Sequence, residues 1–239
     1  MPNLKLTIEF DGTGYAGWQF QPGHPTIQGE VESALRQIIK QETTAYGCGR
    51  TDAGVSARGY VANVHINSAL PPERMRAALN HFLPTDIRVQ RVEEAAADFH
   101  ARFSAKLKTY RYRLVRGASP LRRRHAWEYH WPLDSGRVCR TARLFRGRRD
   151  FQPFCQTRDA NGVCLVESVT VEEAGDELAI TVCGDRFLYK MVRRIVGALV
   201  AAGSGRLTQQ DIRAALAGRP TRPFQTAPAC GLLLDSVEY

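Results

Sequence analysis

A chain of 239 residues, 44% hydrophobic and 24% charged, is long enough for one large or two small domains with their own cores, and its balance is that of a globular protein. No apolar run approaches the eighteen or so residues of a membrane span. Met1-Pro2-Asn3 leads straight into a strand pattern without the sections of a signal peptide, so the expected compartment is the cytoplasm and no membrane partner is expected. Cys48, Cys139, Cys155, Cys164, Cys183 and Cys230 form no Cys-x-x-Cys pair, which excludes the usual zinc-ligand spacing and leaves ordinary thiols.

In chain order, Leu4 to Phe10 alternates apolar and polar strictly, as a half-buried strand does. Ile27, Val31, Leu35 and Ile38 recur at helical spacing behind Thr26, a candidate N-cap. Tyr60 to Ile66 reads as a strand. Pro71-Pro72 opens a helix through Met75, Leu79 and Phe82 that Pro84 stops, and Ile87 to Val92 is strand-like. The second part repeats the style. Thr109 to Val115 alternates as a strand; Val138, Ala142 and Phe145 mark a short helix; residues 167–173 and 177–183 form a hairpin around Gly175-Asp176. Leu188, Met191, Val192, Ile195 and Leu199 line one face of a further helix, with Lys190, Arg193, Arg194 and Gly197 opposite. Thr208 and Asp211 suit a capping box, and Leu232 to Val237 closes the chain as a strand. The expected fold is α+β: two similar halves, 1–104 and 105–239, with mixed or mainly antiparallel sheet flanked by helices.

The net charge is +9 and unevenly spread. From Ala101 to Arg149 fifteen Lys or Arg stand against Glu128 and Asp134, a local +13 that leaves −4 for the remainder. Such clustering suits a polyanion. Tyr110, Tyr112, Trp127, Tyr129 and Trp131 lie among these bases, a mixture that suits stacking plus phosphate contact. A solvated basic face without a partner is the alternative, and charge does not separate RNA from DNA.

Gly12-Thr13-Gly14-Tyr15-Ala16-Gly17 fits the dinucleotide-binding spacing after a strand, but Pro22 and Pro25 follow at once and oppose the helix such a site requires. A glycine-rich turn that lets backbone approach something closely is the better reading. Gly47-Cys48-Gly49-Arg50-Thr51-Asp52-Ala53-Gly54-Val55 is the most informative segment. Its glycines permit a tight loop, and a guanidinium two residues from a carboxylate favours the ionised acid. A purely structural turn stapled by an Arg–Asp pair has the same composition.

Gly49 to Val55 resembles the hallmark motif of the tRNA pseudouridine synthase A family, and four more segments resemble it in the same order: Phe10 to Gln19, Phe99 to Ala105 with Lys108 to Tyr112, Phe187 to Gly197, and Thr226 to Leu232. The chain departs from the family pattern at Ser56, where His is common, at Tyr60, where Gln is common, and at Arg58. The resemblance implies two halves around a central basic cleft. It implies isomerisation of uridine to pseudouridine at positions 38, 39 and 40 of the tRNA anticodon arm, by a homodimer. No metal or cofactor is expected, because the reaction needs none. By motif, Asp52 is the catalytic carboxylate, Tyr110 packs against the target base, Arg193 pairs with the catalytic acid and Arg50 helps hold the flipped nucleotide. Attack of Asp52 at the base, at the sugar carbon, or on a sugar proton all stay open. A pseudouridine synthase with another RNA target and a non-catalytic RNA-binding protein are the alternatives.

Overall fold

The alternation at the N-terminus folds as strand β1 (Asn3–Phe10), which buries Leu4, Leu6, Ile8 and Phe10 on one face. The computed structural model describes residues 1–239 and divides them into two units, Met1–Lys106 with Leu233–Tyr239, and Leu107–Leu232.

In the first unit, strands β2 (Tyr46–Gly47), β3 (Ser56–His65), β4 (Ile87–Ala95) and the last strand of the chain, β10 (Leu232–Glu238), join β1. The order is β4-β1-β3-β10, with β2 added to β3. β1 runs antiparallel to β3 and β4, and β10 runs parallel to β3 with Leu233 opposite Ser56. This pairing explains why the closing strand belongs here, whereas a division at 104/105 leaves it with the second half. Alternation marks a strand but says nothing of its partner. Helix α1 (Ile27–Ile39) starts at the expected cap, where Thr26 Oγ1 accepts the Gly29 N–H, and buries Ile27, Val31, Ala34 and Leu35. Helix α2 (Pro72–Phe82) follows Pro71, ends before Pro84, and packs on β4 and beside α1.

Two buried amides that no hydrophobic pattern reveals fix the connector at the end of this unit. Asn63 is fully buried; its amide donates to Asn3 Oδ1 (3.0 Å) and its carbonyl accepts the Ala101 N–H (2.9 Å). Asn3 in turn donates to the carbonyls of Ala96 and Phe99. Tyr239 Oη donates to Ala101 O at 2.8 Å, so the end of the chain holds the same connector.

The second unit holds β5 (Leu107–Arg116), β6 (Trp127–Tyr129), β7 (Gly147–Asp150), β8 (Val163–Ala174) and β9 (Glu177–Gly184), in the order β5-β9-β8-β7 with β6 parallel to β5. The other pairings are antiparallel, and β8 and β9 make the expected hairpin, with Gly175 at φ +60°. Its helices are α3 (Ser135–Ala142), α4 (Met191–Gly203) and α5 (Gln209–Leu216). α5 carries the expected capping box between Thr208 and Asp211. α4 starts at Met191, three residues later than Leu188, because Lys190 turns left-handed at φ 60°. It is also less one-sided than its sequence suggests, since every residue from Ile195 to Gly203 is buried. The α+β class and the mainly antiparallel sheets agree with the sequence reading. No helix is long and apolar enough to cross a membrane.

Replacing Asn63 by Ala strands the Ala101 N–H and the Asn3 carbonyl oxygen in the interior. We expect a loss of about 3 kcal/mol in urea unfolding, with β-sheet content of the folded protein unchanged.

Candidate active site

The Asp52 loop connects β2 to β3 and has almost no regular structure of its own. Backbone bonds to its neighbours hold it. Cys48 N–H donates to Val61 O (2.8 Å), Trp18 N–H to Thr51 O (3.4 Å) and Gly54 N–H to Tyr15 O (3.2 Å), while Val55 N–H closes a turn on Asp52 O (3.2 Å). The glycine-rich segment supplies the opposing surface. Gly12 to Gly14 form a 3-10 turn capped by Asp11, and no helix opens there until α1. A Cβ on Gly12 would sit 2.0 Å from Val55 O, and one on Gly17 2.3 Å from Thr51 O. Gly17 also needs its positive φ of +98°. What the glycine-rich turn approaches is therefore the Asp52 loop.

Aromatic packing backs this arrangement. Tyr60, fully buried on β3, stacks on Trp18 with centroids 4.2 Å apart and donates from Oη to Gly49 O at 2.6 Å. Tyr15 Oη donates to Asp86 Oδ1 at 2.7 Å, and burial together with that carboxylate pushes its phenol well above the ordinary range. The three departures from the family pattern all have structural partners here. Ser56 Oγ accepts the Gly12 N–H (3.0 Å), Tyr60 braces the loop, and Arg58 pairs with Asp235 of β10 at 2.9 Å. Sequence reasoning singled these positions out but did not find their roles. Trp18 lies in the Phe10 to Gln19 segment without its packing role being visible there, and Asp86 carried no signal.

Asp52 is half-buried and Arg50 exposed, both on this loop of the first unit. Tyr110 and Arg193 belong to the second unit. Tyr110 lies on β5 opposite Val182, half-buried, with its ring edge-to-face to Phe187 at 5.2 Å. Tyr112, one strand period away, is a core residue: it is fully buried, donates to Pro228 O at 2.9 Å, and burial raises its phenol far above the usual value. Arg193 lies in the first turn of α4 and donates from Nε to Ala227 O at 2.8 Å, while Ala227 N–H donates back to Arg193 O. The C-terminal signature thus fixes the arginine stem. Gly197 does not face open space, since a Cβ there would meet Gln225 O at 1.8 Å. Arg194 is not the solvated residue its sequence position suggests: it donates to Pro153 O and lies over the Phe224 ring.

The basic tract is partly neutralised. Arg113 makes a bidentate pair with Glu177 (2.8 Å to each oxygen), Arg116 pairs with Glu173, Arg111 with Glu172 and Arg122 with Asp176. The β8–β9 hairpin supplies all four acids. Arg122 also donates to Ser119 Oγ, so it is structural rather than a free phosphate contact. Of the interleaved aromatics, Tyr112, Trp127 and Tyr129 are buried, whereas Trp131 is 65% exposed. Those three cannot stack on bases. The solvent-exposed bases are Arg102, Lys106, Arg123, Arg124, Arg137, Arg140, Arg143, Arg146, Arg148 and Arg149.

A family model described as tRNA pseudouridine synthase matches residues 6–104 and 141–239. The chain belongs to the tRNA pseudouridine synthase family. Proteins named tRNA pseudouridine synthase A resemble it from end to end: that of Moorella thermoacetica is 43% identical, that of Solibacter usitatus 40% and that of Brevibacillus brevis 39%, each alignment covering 100% of both chains. Within this family assignment, Asp52, Arg50 and Arg193 fall inside the two matched stretches and Tyr110 between them. Two repeated stretches also account for the repeating element style of the two halves.

Two outcomes follow from this geometry. Gly17→Ala forces a strained φ and a clash with Thr51 O, so it should cost about 1–3 kcal/mol in stability and reduce product formation by more than the unfolded fraction explains. The Arg113 guanidinium holds the Glu177 carboxyl below its ordinary 4.5. A depressed folded value stabilises above the unfolded pKa and is lost as pH falls through the folded one. Glu177→Gln should therefore cost about 1 kcal/mol at neutral pH, and the gap to wild type should close in acid.

Proposed function

We propose that this chain isomerises uridine to pseudouridine at positions 38, 39 and 40 of the tRNA anticodon arm, acting as a cytoplasmic homodimer with Asp52 as its catalytic carboxylate. The observation that carries this reading is the loop geometry: Asp52 sits on a segment fastened on both sides by backbone bonds, with its own side chain only half-buried. Family membership gives the reaction class. The relatives' names give tRNA as the substrate.

The reaction breaks the N-glycosidic bond, rotates the uracil and rejoins C1′ to C5; a proton leaves C5 and one is gained at N1, so no redox partner or group donor is consumed. The target nucleotide must leave its stack, at a cost of a few kcal/mol. Phosphate contacts and stacking offset that cost. Asp52 acts where sugar meets base. Tyr110 packs against the extruded uracil, Arg50 helps hold the nucleotide, and Arg193, its stem fixed by Ala227, pairs with the catalytic carboxylate. The exposed arginines of α3 and the segment through β7 offer the charge for the RNA backbone.

Asp52→Asn keeps the shape of the side chain and every backbone bond of the loop. It should fold and bind unmodified tRNA like wild type yet release no tritium from C5-labelled uridine. Substantial product from this variant would reject Asp52, and binding without turnover by the wild type would favour a non-catalytic RNA-binding protein. Arg143→Glu with Arg146→Glu should weaken tRNA binding and lower the salt slope of the affinity by roughly one per arginine. An unchanged slope would place the contact elsewhere.

A further inference from the structure

We propose that Tyr60 is a positioning residue for Asp52: its phenol sets where the carboxylate-bearing loop lies and so governs turnover without touching RNA. This rests on the function proposed above. Tyr60 is fully buried behind the loop, so it makes no contact with a substrate. Its Oη donates to Gly49 O at 2.6 Å, three residues before Asp52. Its ring stacks on Trp18 at 4.2 Å and 25° and is tilted against Phe10 at 5.6 Å. Trp18 in turn donates its own backbone N–H to Thr51 O, the residue next to Asp52. One stacked pair therefore holds the carbonyls on both sides of Arg50, immediately upstream of the acid.

The chain passes edge-on over this pair. A Cβ on Gly47 would lie 2.0 Å from Tyr60 Oη and 2.6 Å from Trp18 Nε1. The loop thus has no slack on that side, and the phenolic hydrogen bond tethers its first half from a side chain. Deleting the hydroxyl alone keeps the ring, the stack and the core volume. It releases Gly49 O and leaves the backbone ahead of Asp52 held at Cys48 and Thr51 alone, so that the segment between them can shift. A shift of about 1 Å at a reacting group costs on the order of a hundredfold in rate.

The test is Tyr60→Phe, assayed with unmodified tRNA beside wild type. We expect kcat to fall about ten- to hundredfold. KM and tRNA affinity should stay within about twofold, and the melting temperature within a few degrees. A plain core role predicts the reverse, a lowered melting temperature with kcat per folded molecule intact. Titrating binding-competent enzyme with tRNA puts kcat on a per-folded-molecule basis, so an unstable variant still gives an answer. Wild-type kcat in Tyr60→Phe, or a loss confined to KM, overturns the proposal. If wild type itself forms no pseudouridine, the function fails, which is a different result from an active wild type matched by an equally active Tyr60→Phe.

Discussion

Backbone against backbone is the contact on which the candidate site depends. The turn through Gly12 and Gly17 lies so near Val55 O and Thr51 O that a single methyl group at either glycine would overlap a carbonyl oxygen. A loop with three glycines loses much conformational entropy when it is ordered, and it has little helix or strand hydrogen bonding to compensate. Here the order comes from outside: carbonyls and amides of the loop bond to Tyr15, Trp18 and Val61, and the aromatic pair Trp18–Tyr60 fills the space beneath. The result is an acidic side chain displayed on a stiff support. Under the proposed function, pre-organisation of this kind suits a reaction on an extruded nucleotide, whose target bond is exposed only while the base is out of its stack.

Charge in the second unit serves two purposes that composition alone merges. Arg111, Arg113 and Arg116 of β5, and Arg122 in the segment after it, pair with acids of the β8–β9 hairpin. Those acids lie some fifty residues or more further along the chain, so the excess charge between Ala101 and Arg149 overstates what RNA meets. The exposed arginines from Arg137 to Arg149 keep their charge on the surface, although Arg137 and Arg148 are shared with Asp134 and Asp185. The same separation holds for the aromatics. Tyr112, Trp127 and Tyr129 form an edge-to-face ladder inside the unit, and only its last ring, Trp131, is open to solvent.

Local patterns in the sequence report local structure well. Strict alternation marks β1, the Thr26 and Thr208 caps mark α1 and α5, and the prolines around Met75 bound α2. The Asp52 loop and the close approach of the glycine-rich turn are legible too, because glycines at those spacings have few other uses. What escapes is whatever depends on a distant partner. β2 and β6 are two and three residues long and exist only through β3 and β5. The closing strand gives no hint that it pairs with β3. Arg194 and Gly197 read as an open helix face because what covers them is distant in sequence: Pro153 and Phe224 for Arg194, Gln225 for Gly197. Asn63 looks like a polar interruption of a strand and is in fact the centre of a buried amide network.

Asp52 can be pre-positioned only if its loop is held rather than merely folded over. Hydrogen–deuterium exchange of the RNA-free protein measures this most directly, because the amides of Cys48, Gly54 and Val55 all donate within the arrangement described. They should exchange as slowly as the amides of β3, opening only with the unit as a whole. Exchange of those three at the rate of an open surface loop, with β3 still protected, would contradict a pre-positioned Asp52.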